Sequence, residues 1–183
     1  MDRSGSLDSS DLVDALKFIY NVTEWLTIGD NDTLVSLVTY SDNIREEFNL
    51  GNYTNRTELL NAINELSSMQ TGGGTYTFDA LEYVLTSSFN SSSGGRDDAK
   101  KAVVVITDGA SSNLIETMSM AERVRTERNA EIYSIGIGPD PDKDELNYIA
   151  SDPDSYYALS AEDFVYLCNL VPAIVPKLGN GNY

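Results

Sequence analysis

Residues 102–107 read Ala-Val-Val-Val-Ile-Thr and run straight into Asp108-Gly109. A strand with one wet face alternates apolar and polar residues, whereas this run is apolar at five successive positions. Such a strand needs cover on both faces, the environment of a parallel sheet wrapped by helices. Helical and strand periodicities alternate along the rest of the chain, which predicts an α/β fold. The expected architecture is a doubly wound, mostly parallel central sheet with helices on both faces. In such sheets the loops at the carboxyl ends of the strands share one rim, where ligands bind.

The first helix is expected from about Ser9 to Thr27, with Leu12, Leu16, Ile19 and Leu26 along its apolar stripe. Asp14, Lys17, Asn21 and Glu24 fall on the opposite, wet side. Thr33 to Tyr40 reads as a doubly covered strand, and Asn43 to Leu50 as a short antiparallel edge strand closing a hairpin. A helix from about Asn55 to Ser68 follows, then the loop Gly72-Gly73-Gly74-Thr75 and a helix through Phe78, Leu81, Val84 and Leu85. Asn90 to Gly95 is a surface loop. After Asp108 the pattern gives helix, strand (about Glu131 to Ile137), helix, strand (Tyr156 to Leu159) and a last helix from Ala161 to Val175, with Pro176 helping to end it. One domain over residues 1–178 is expected, followed by a polar tail at 179–183.

Composition narrows the chemistry. The chain has 29 acidic and 12 basic residues among 183, a net charge of -17. That surface repels phosphate backbones and attracts cations, so nucleic acid is excluded as a partner. There is no histidine, which removes the usual general base and the commonest transition-metal ligand. Cys168 is the sole cysteine, so neither an internal disulfide nor a zinc–thiolate site is available. Any metal must therefore be a hard ion held by oxygen. No apolar run is long enough to span a bilayer. Glycosylation sequons begin at Asn21, Asn31, Asn52, Asn55 and Asn90 and point to a secreted, extracellular glycoprotein.

Three distant pieces of chain share one chemical theme. Asp2-Arg3-Ser4-Gly5-Ser6 offers a carboxylate and two hydroxyls just before a helix, Thr75 a hydroxyl after three glycines, and Asp108 a carboxylate at the end of a strand. The topology places all three on one rim. Oxygen donors of this kind suit magnesium, manganese or calcium. Hydroxyls beside only two carboxylates leave a cation electron-poor and still receptive to a carboxylate from outside.

In this order and spacing, Asp2-x-Ser4-x-Ser6, Thr75 and Asp108-Gly109 resemble the metal-ion-dependent adhesion site of von Willebrand factor type A domains, and the resemblance covers essentially the whole chain. It implies a Rossmann-like fold, with Ser4, Ser6 and Thr75 as hydroxyl ligands and Asp2 and Asp108 contributing directly or through water. Thr75 is chosen over Thr77 because it directly follows the glycines; Thr77 is read as the cap of the next helix. The single helix between Asp108 and the following strand resembles the matrix type found in collagen-associated and matrilin-like proteins. The function so implied is non-catalytic: cation-dependent binding of an extracellular matrix protein or receptor, collagen among the candidates.

Plainer readings stand beside this one. Ser4 and Ser6 also suit a helix cap, and Asp108-Gly109 a simple turn. The metal site could be a vestige in a structural assembly unit. A magnesium-dependent phosphoryl-transfer enzyme using Asp108 is the other rival, but it lacks a lysine near the rim and a proton shuttle. The glycine triplet lacks the ending of a phosphate-binding loop. Asp140, Asp142, Asp144 and Glu145 lack the glycine and terminal glutamate of a calcium loop and read as a solvated helix start. Cys168 reads as a small buried apolar group, with an intermolecular disulfide left open.

One departure from the family pattern bears on stability. Its members carry an apolar central strand immediately before the Asp-x-Ser-x-Ser motif, whereas only Met1 precedes Asp2 here. Pro172 and Pro176 bar the C-terminal segment from a central strand. The expectation is that this strand is absent, that its neighbours leave backbone groups unpaired at about 1–3 kcal/mol each, and that Asp2 loses the anchor that aims it. On this reading Met1 is an internal methionine of a chain that starts upstream, behind a signal sequence.

Overall fold

The computed structural model describes residues 1–139 and 141–179. Asp140 and residues 180–183 lie outside the described residues, and with them most of the expected polar tail. The strands are β1 (Leu37–Tyr40), β2 (Ile44–Phe48), β3 (Lys101–Thr107), β4 (Ala130–Ile137) and β5 (Ala158–Ala161). The helices are α1 (Ser9–Trp25), α2 (Arg56–Glu65), α3 (Thr77–Tyr83), α4 (Leu114–Glu127), α5 (Lys143–Ile149), α6 (Asp154–Tyr157) and α7 (Val171–Leu178). β1 and β2 form an antiparallel pair, and β3, β4 and β5 form a parallel sheet in that order. The Rossmann-like α/β arrangement read from the sequence is thus the one adopted.

Alternation along β4 shows how the layers are made. Tyr133, Ile135 and Ile137 belong to one core with α1, α2 and α7, while Ile132 packs with Leu81, Ala121, Val124 and Ile149 from α3, α4 and α5 on the other face. Gly136 lies beneath α5, where a Cβ would come within 2.3 Å of Leu146. Helix ends follow local chemistry. Asp8 accepts from the Ser10 and Asp11 amides while Asp11 bonds back to the Asp8 amide, a reciprocal capping box that starts α1. Asn55 and Asn113 cap α2 and α4 in the same way from one side.

Several boundaries differ from expectation, each for a local reason. Residues 33–36 continue β1 in direction but form no ladder, because they have no neighbour on their inner side; a lone bridge joins Thr33 to Ile28. Tyr156 and Tyr157 belong to the short helix α6, and β5 starts only at Ala158. The segment after β5 is a 3-10 turn, Phe164–Leu170, rather than the start of a helix. α7 begins at Val171 with Pro172 in its first turn, where a missing amide costs nothing, and runs past Pro176 to Leu178. Pro176 therefore does not end it.

Among the described residues no strand lies between β1 and β3. The gap is closed only at its upper end. Met1 and Asp2 sit between the two strands: the Asp2 amide donates to Ile106 O (2.9 Å), the Arg3 amide to Tyr40 O (2.9 Å), and the Tyr40 amide to Met1 O (3.1 Å). No helix among the described residues is long and apolar enough to cross a membrane.

Candidate metal centre

These backbone bonds overturn one expectation. Asp2 keeps an anchor on each side without a preceding strand, because two residues of parallel pairing suffice to fix its direction. Its side chain is 1% exposed, and both oxygens are engaged. One accepts from the Ser4 amide (2.8 Å) and the other from the Thr107 hydroxyl (2.8 Å). Ser4, also 1% exposed, has its hydroxyl 3.1 Å from that of Ser6, which donates to Asp108 Oδ1 at 3.0 Å. Four of the five expected ligands thus form one hydrogen-bonded row, Asp2 and Ser4 through the backbone and the others through side chains.

Thr75 reaches the same rim through its loop. The Gly5 amide donates to Gly73 O (2.9 Å) and the Gly72 amide to Arg3 O (3.0 Å), which ties the glycine loop to the Asp2–Ser6 turn. Across the other side, the Ser112 amide donates to Thr75 O (2.8 Å) and the Thr75 amide to Ser112 Oγ (3.3 Å). Thr75 therefore bridges the glycine loop and the loop after Asp108. Among the described residues its own hydroxyl makes no hydrogen bond to the other four side chains. Gly73 is needed where it stands: its φ is +86°, and a Cβ would lie 2.6 Å from the Asp42 carboxylate.

The rim is held by residues that the sequence reading passed over. Asp42, at the turn between β1 and β2, accepts from the Gly74 amide at 2.7 Å. Thr107 clamps Asp2 and accepts from the Gly109 amide. Glu145 is not part of a solvated helix start: it is 3% exposed, and its two oxygens accept from the Ser111 amide at 2.9 and 3.1 Å. Asp142 is the exposed cap of α5, accepting from the Glu145 amide, as a helix start requires. Thr77 does not cap α3. Tyr76 occupies the cap position, and Thr77 is buried with an unpartnered hydroxyl.

Among the described residues no lysine or arginine forms an ion pair with Asp2 or Asp108. Burial pushes the Asp108 carboxyl above its ordinary range, the Ser6 hydrogen bond opposes this, and the nearby Asp2 charge adds to it. Among the described residues no three acidic, cysteine or histidine side chains gather as a metal cage. Two carboxylates flanked by hydroxyls are an oxygen-only donor set, and a half-buried carboxylate with no basic partner favours a hard cation.

The five sequons divide into two groups. Asn31, Asn52 and Asn55 are exposed. The Asn21 amide nitrogen instead donates to Cys168 Sγ (3.2 Å), and that of Asn90 to Thr86 O (2.6 Å). Asn21 is thus not on a fully wet face, and Cys168 is a half-buried free thiol that accepts a hydrogen bond.

Comparison with known proteins gives the family and the fold. Chicken (Gallus gallus) matrilin-1 is 31% identical over 178 residues, 97% of this chain and 35% of the relative. The collagen alpha-1(XII) chain of Notophthalmus viridescens is 31% identical over 98% of this chain and 19% of the relative. This chain therefore spans about a third or less of these curated relatives. Among solved structures, proximal thread matrix protein 1 from the mussel byssus superposes with a TM-score of 0.86 at 25% identity, over 97% of this chain and 45% of that one. The family model for the von Willebrand factor type A domain matches residues 1–172, and the chain belongs to that family.

Proposed function

We propose that this domain is an extracellular, secreted protein-binding module. In it, one divalent cation at Asp2, Ser4, Ser6, Thr75 and Asp108 accepts a carboxylate from a partner protein. Magnesium, manganese or calcium fits an oxygen donor set of this kind. The observation that carries the proposal is the row from Asp2 through Ser4 and Ser6 to Asp108, in which two hydroxyls lie between two carboxylates. When bound, the cation supplies Lewis acidity toward an incoming carboxylate. The protein's own residues orient and hold: Asp2 is clamped from both sides, Ser4 and Ser6 present neutral oxygens, and Asp108 faces them from the end of β3.

The relatives are matrix and adhesion proteins by name, among them matrilin-1, a collagen chain and mouse integrin alpha-X. One related byssus structure is described with a zinc-occupied adhesion motif, and a Plasmodium vivax TRAP structure as manganese-loaded. These support a matrix protein or receptor as the partner, collagen among them, and a divalent ion as the cofactor. We further propose that Asn31, Asn52 and Asn55 carry the glycans, since their side chains reach solvent.

The test is calorimetric titration with magnesium, manganese and calcium, repeated on Asp108→Ala, followed by binding to immobilised matrix proteins, collagens first, with and without chelator. Partner capture that requires the ion and Asp108 is the expected result. Capture that survives both chelation and the substitution would show a structural module with a vestigial site. Trapping of beryllofluoride at Asp108 would show an enzyme.

A further inference from the structure

Behind Asp2 the fold buries hydroxyls that the candidate ligands do not account for. Tyr40 is 2% exposed and Thr77 1%, and among the described residues neither hydroxyl has a hydrogen-bond partner. Buried hydroxyls in that state are uncommon, because each has given up its water without replacement. Asp2 and Tyr40 are paired across a parallel bridge, so their side chains leave the backbone toward the same face. Thr107 shares that face, since its hydroxyl donates to Asp2 Oδ2 at 2.8 Å. Val105, two residues earlier on β3, packs in one cluster with Leu81 of α3, and Thr77 opens that helix. The Thr77 and Thr107 hydroxyls thus face the Tyr40 phenol. Burial, and after it the Asp2 charge, pushes the phenol's pKa up, so it keeps a proton to donate.

Thr107 is the link between this group and Asp2. Its single hydrogen has two acceptors within reach, Asp2 Oδ2 at 2.8 Å and Gly109 O at 3.0 Å. One of its lone pairs takes the Gly109 amide at 3.3 Å, which leaves the other for a second donor. We propose that Thr77, Tyr40 and Thr107 form one directed hydrogen-bond chain, Thr77 to Tyr40 to Thr107 to the Asp2 carboxylate, which makes Tyr40 and Thr77 positioning residues for the cation. The inference rests on the cation reading above and deepens it. Each hydroxyl gives its hydrogen once, and the chain ends on a charged acceptor, which polarises every bond in it. The Ser4 amide holds the other oxygen of Asp2, so the carboxylate is fixed at both ends. Neutral donors suit this place. They set the direction of the carboxylate and leave its charge for the ion, which an ammonium or guanidinium would cancel.

The experiment is calorimetric titration of the whole chain with magnesium, manganese and calcium, each alone, with melting in chelator alongside. The parent is compared with Tyr40→Phe, Thr77→Val, Thr77→Ser and the double variant Tyr40→Phe/Thr77→Val. Tyr40→Phe, which keeps the ring, is expected to raise the cation Kd about tenfold. Thr77→Val lies one link further away and is expected to raise it about threefold, and Thr77→Ser, which restores the hydroxyl, restores the affinity. The double variant should bind as Tyr40→Phe does, because the link that Thr77 works through is already cut. An unchanged Kd in Tyr40→Phe would overturn the proposal, and so would losses that multiply in the double variant, which independent packing effects produce. A lower melting temperature in chelator with the Kd unmoved would show residues that only pack. A parent that binds none of the three ions would overturn the function proposed above, and this role with it, before any variant is compared.

Discussion

β4 and the outer edge of β3 lie one strand apart and are built from the same kinds of residue. Every residue of β4 from Ile132 to Ile137 is buried, with β3 on one side and β5 along its upper half on the other. In β3, Ala102, Val103 and Val104 are only half-buried, although their sequence is as apolar. Burial returns at Val105 and Ile106, 5% and 3% exposed, the second of which pairs with Asp2. Two strands of similar side chains thus differ in how far they are removed from water, and the difference lies in what packs around them. The closed end carries the candidate metal centre.

The largest expected effect tests that contrast directly. Ile135→Ala in β4 should cost about 2–5 kcal/mol by chemical denaturation, because it leaves a cavity in a packed layer. Val104→Ala at the open edge should cost about 1 kcal/mol or less, since the side chain is only partly withdrawn from water. Equal losses would break the comparison. At the closed end, a cation at a hundred times its Kd should add about 2.7 kcal/mol to stability. Asp108→Asn should abolish that increment, read as a lost cation-induced shift in melting temperature. In chelator the same variant should be no less stable than the parent, because a neutral amide relieves a half-buried charge.

Glu145 sharpens the distinction further, since it holds the Ser111 amide without touching the five proposed ligands. Glu145→Gln should weaken cation binding by about tenfold while leaving the ligands intact, measured by calorimetry. The smallest effect is in pH. Proton and cation compete for Asp108, so cation affinity should fall as pH drops from neutral through its raised pKa. Without cation the sign reverses. A carboxyl whose folded pKa lies above its unfolded value contributes stability below the unfolded pKa, and that contribution is lost as pH rises through the folded one. Titrations with and without chelator that slope the same way would contradict the role given to Asp108.

Much of the site was legible because its residues sit at fixed places in local patterns. Asp108 ends an apolar run, Thr75 follows three glycines, and Asp2, Ser4 and Ser6 occupy alternate positions before a helix. The supporting residues carried no such mark. Glu145 looks like any acidic residue in a helix's first turn until α5 turns it inward, and Asp42 like any turn aspartate until Gly73 and Gly74 arrive against it. Tyr156 and Tyr157 misled in the other direction. Their bulk suits a strand, but Tyr157 packs at a tilt against Tyr133 with ring centroids 4.8 Å apart, and a helical turn brings it there.

The sequence by itself determined the alternation of helices and strands, the oxygen-only donors available to any metal, and the three loops that meet at the candidate centre. Those follow from side-chain type and short-range periodicity, which are local properties. Only the tertiary structure decided that two residues of pairing hold Asp2 in place, that Glu145 is buried, and that Asp42 meets the glycine loop. Each of these depends on which backbone groups find partners across the fold, and hydrogen bonds between distant segments leave no trace in the spacing of residues along the chain.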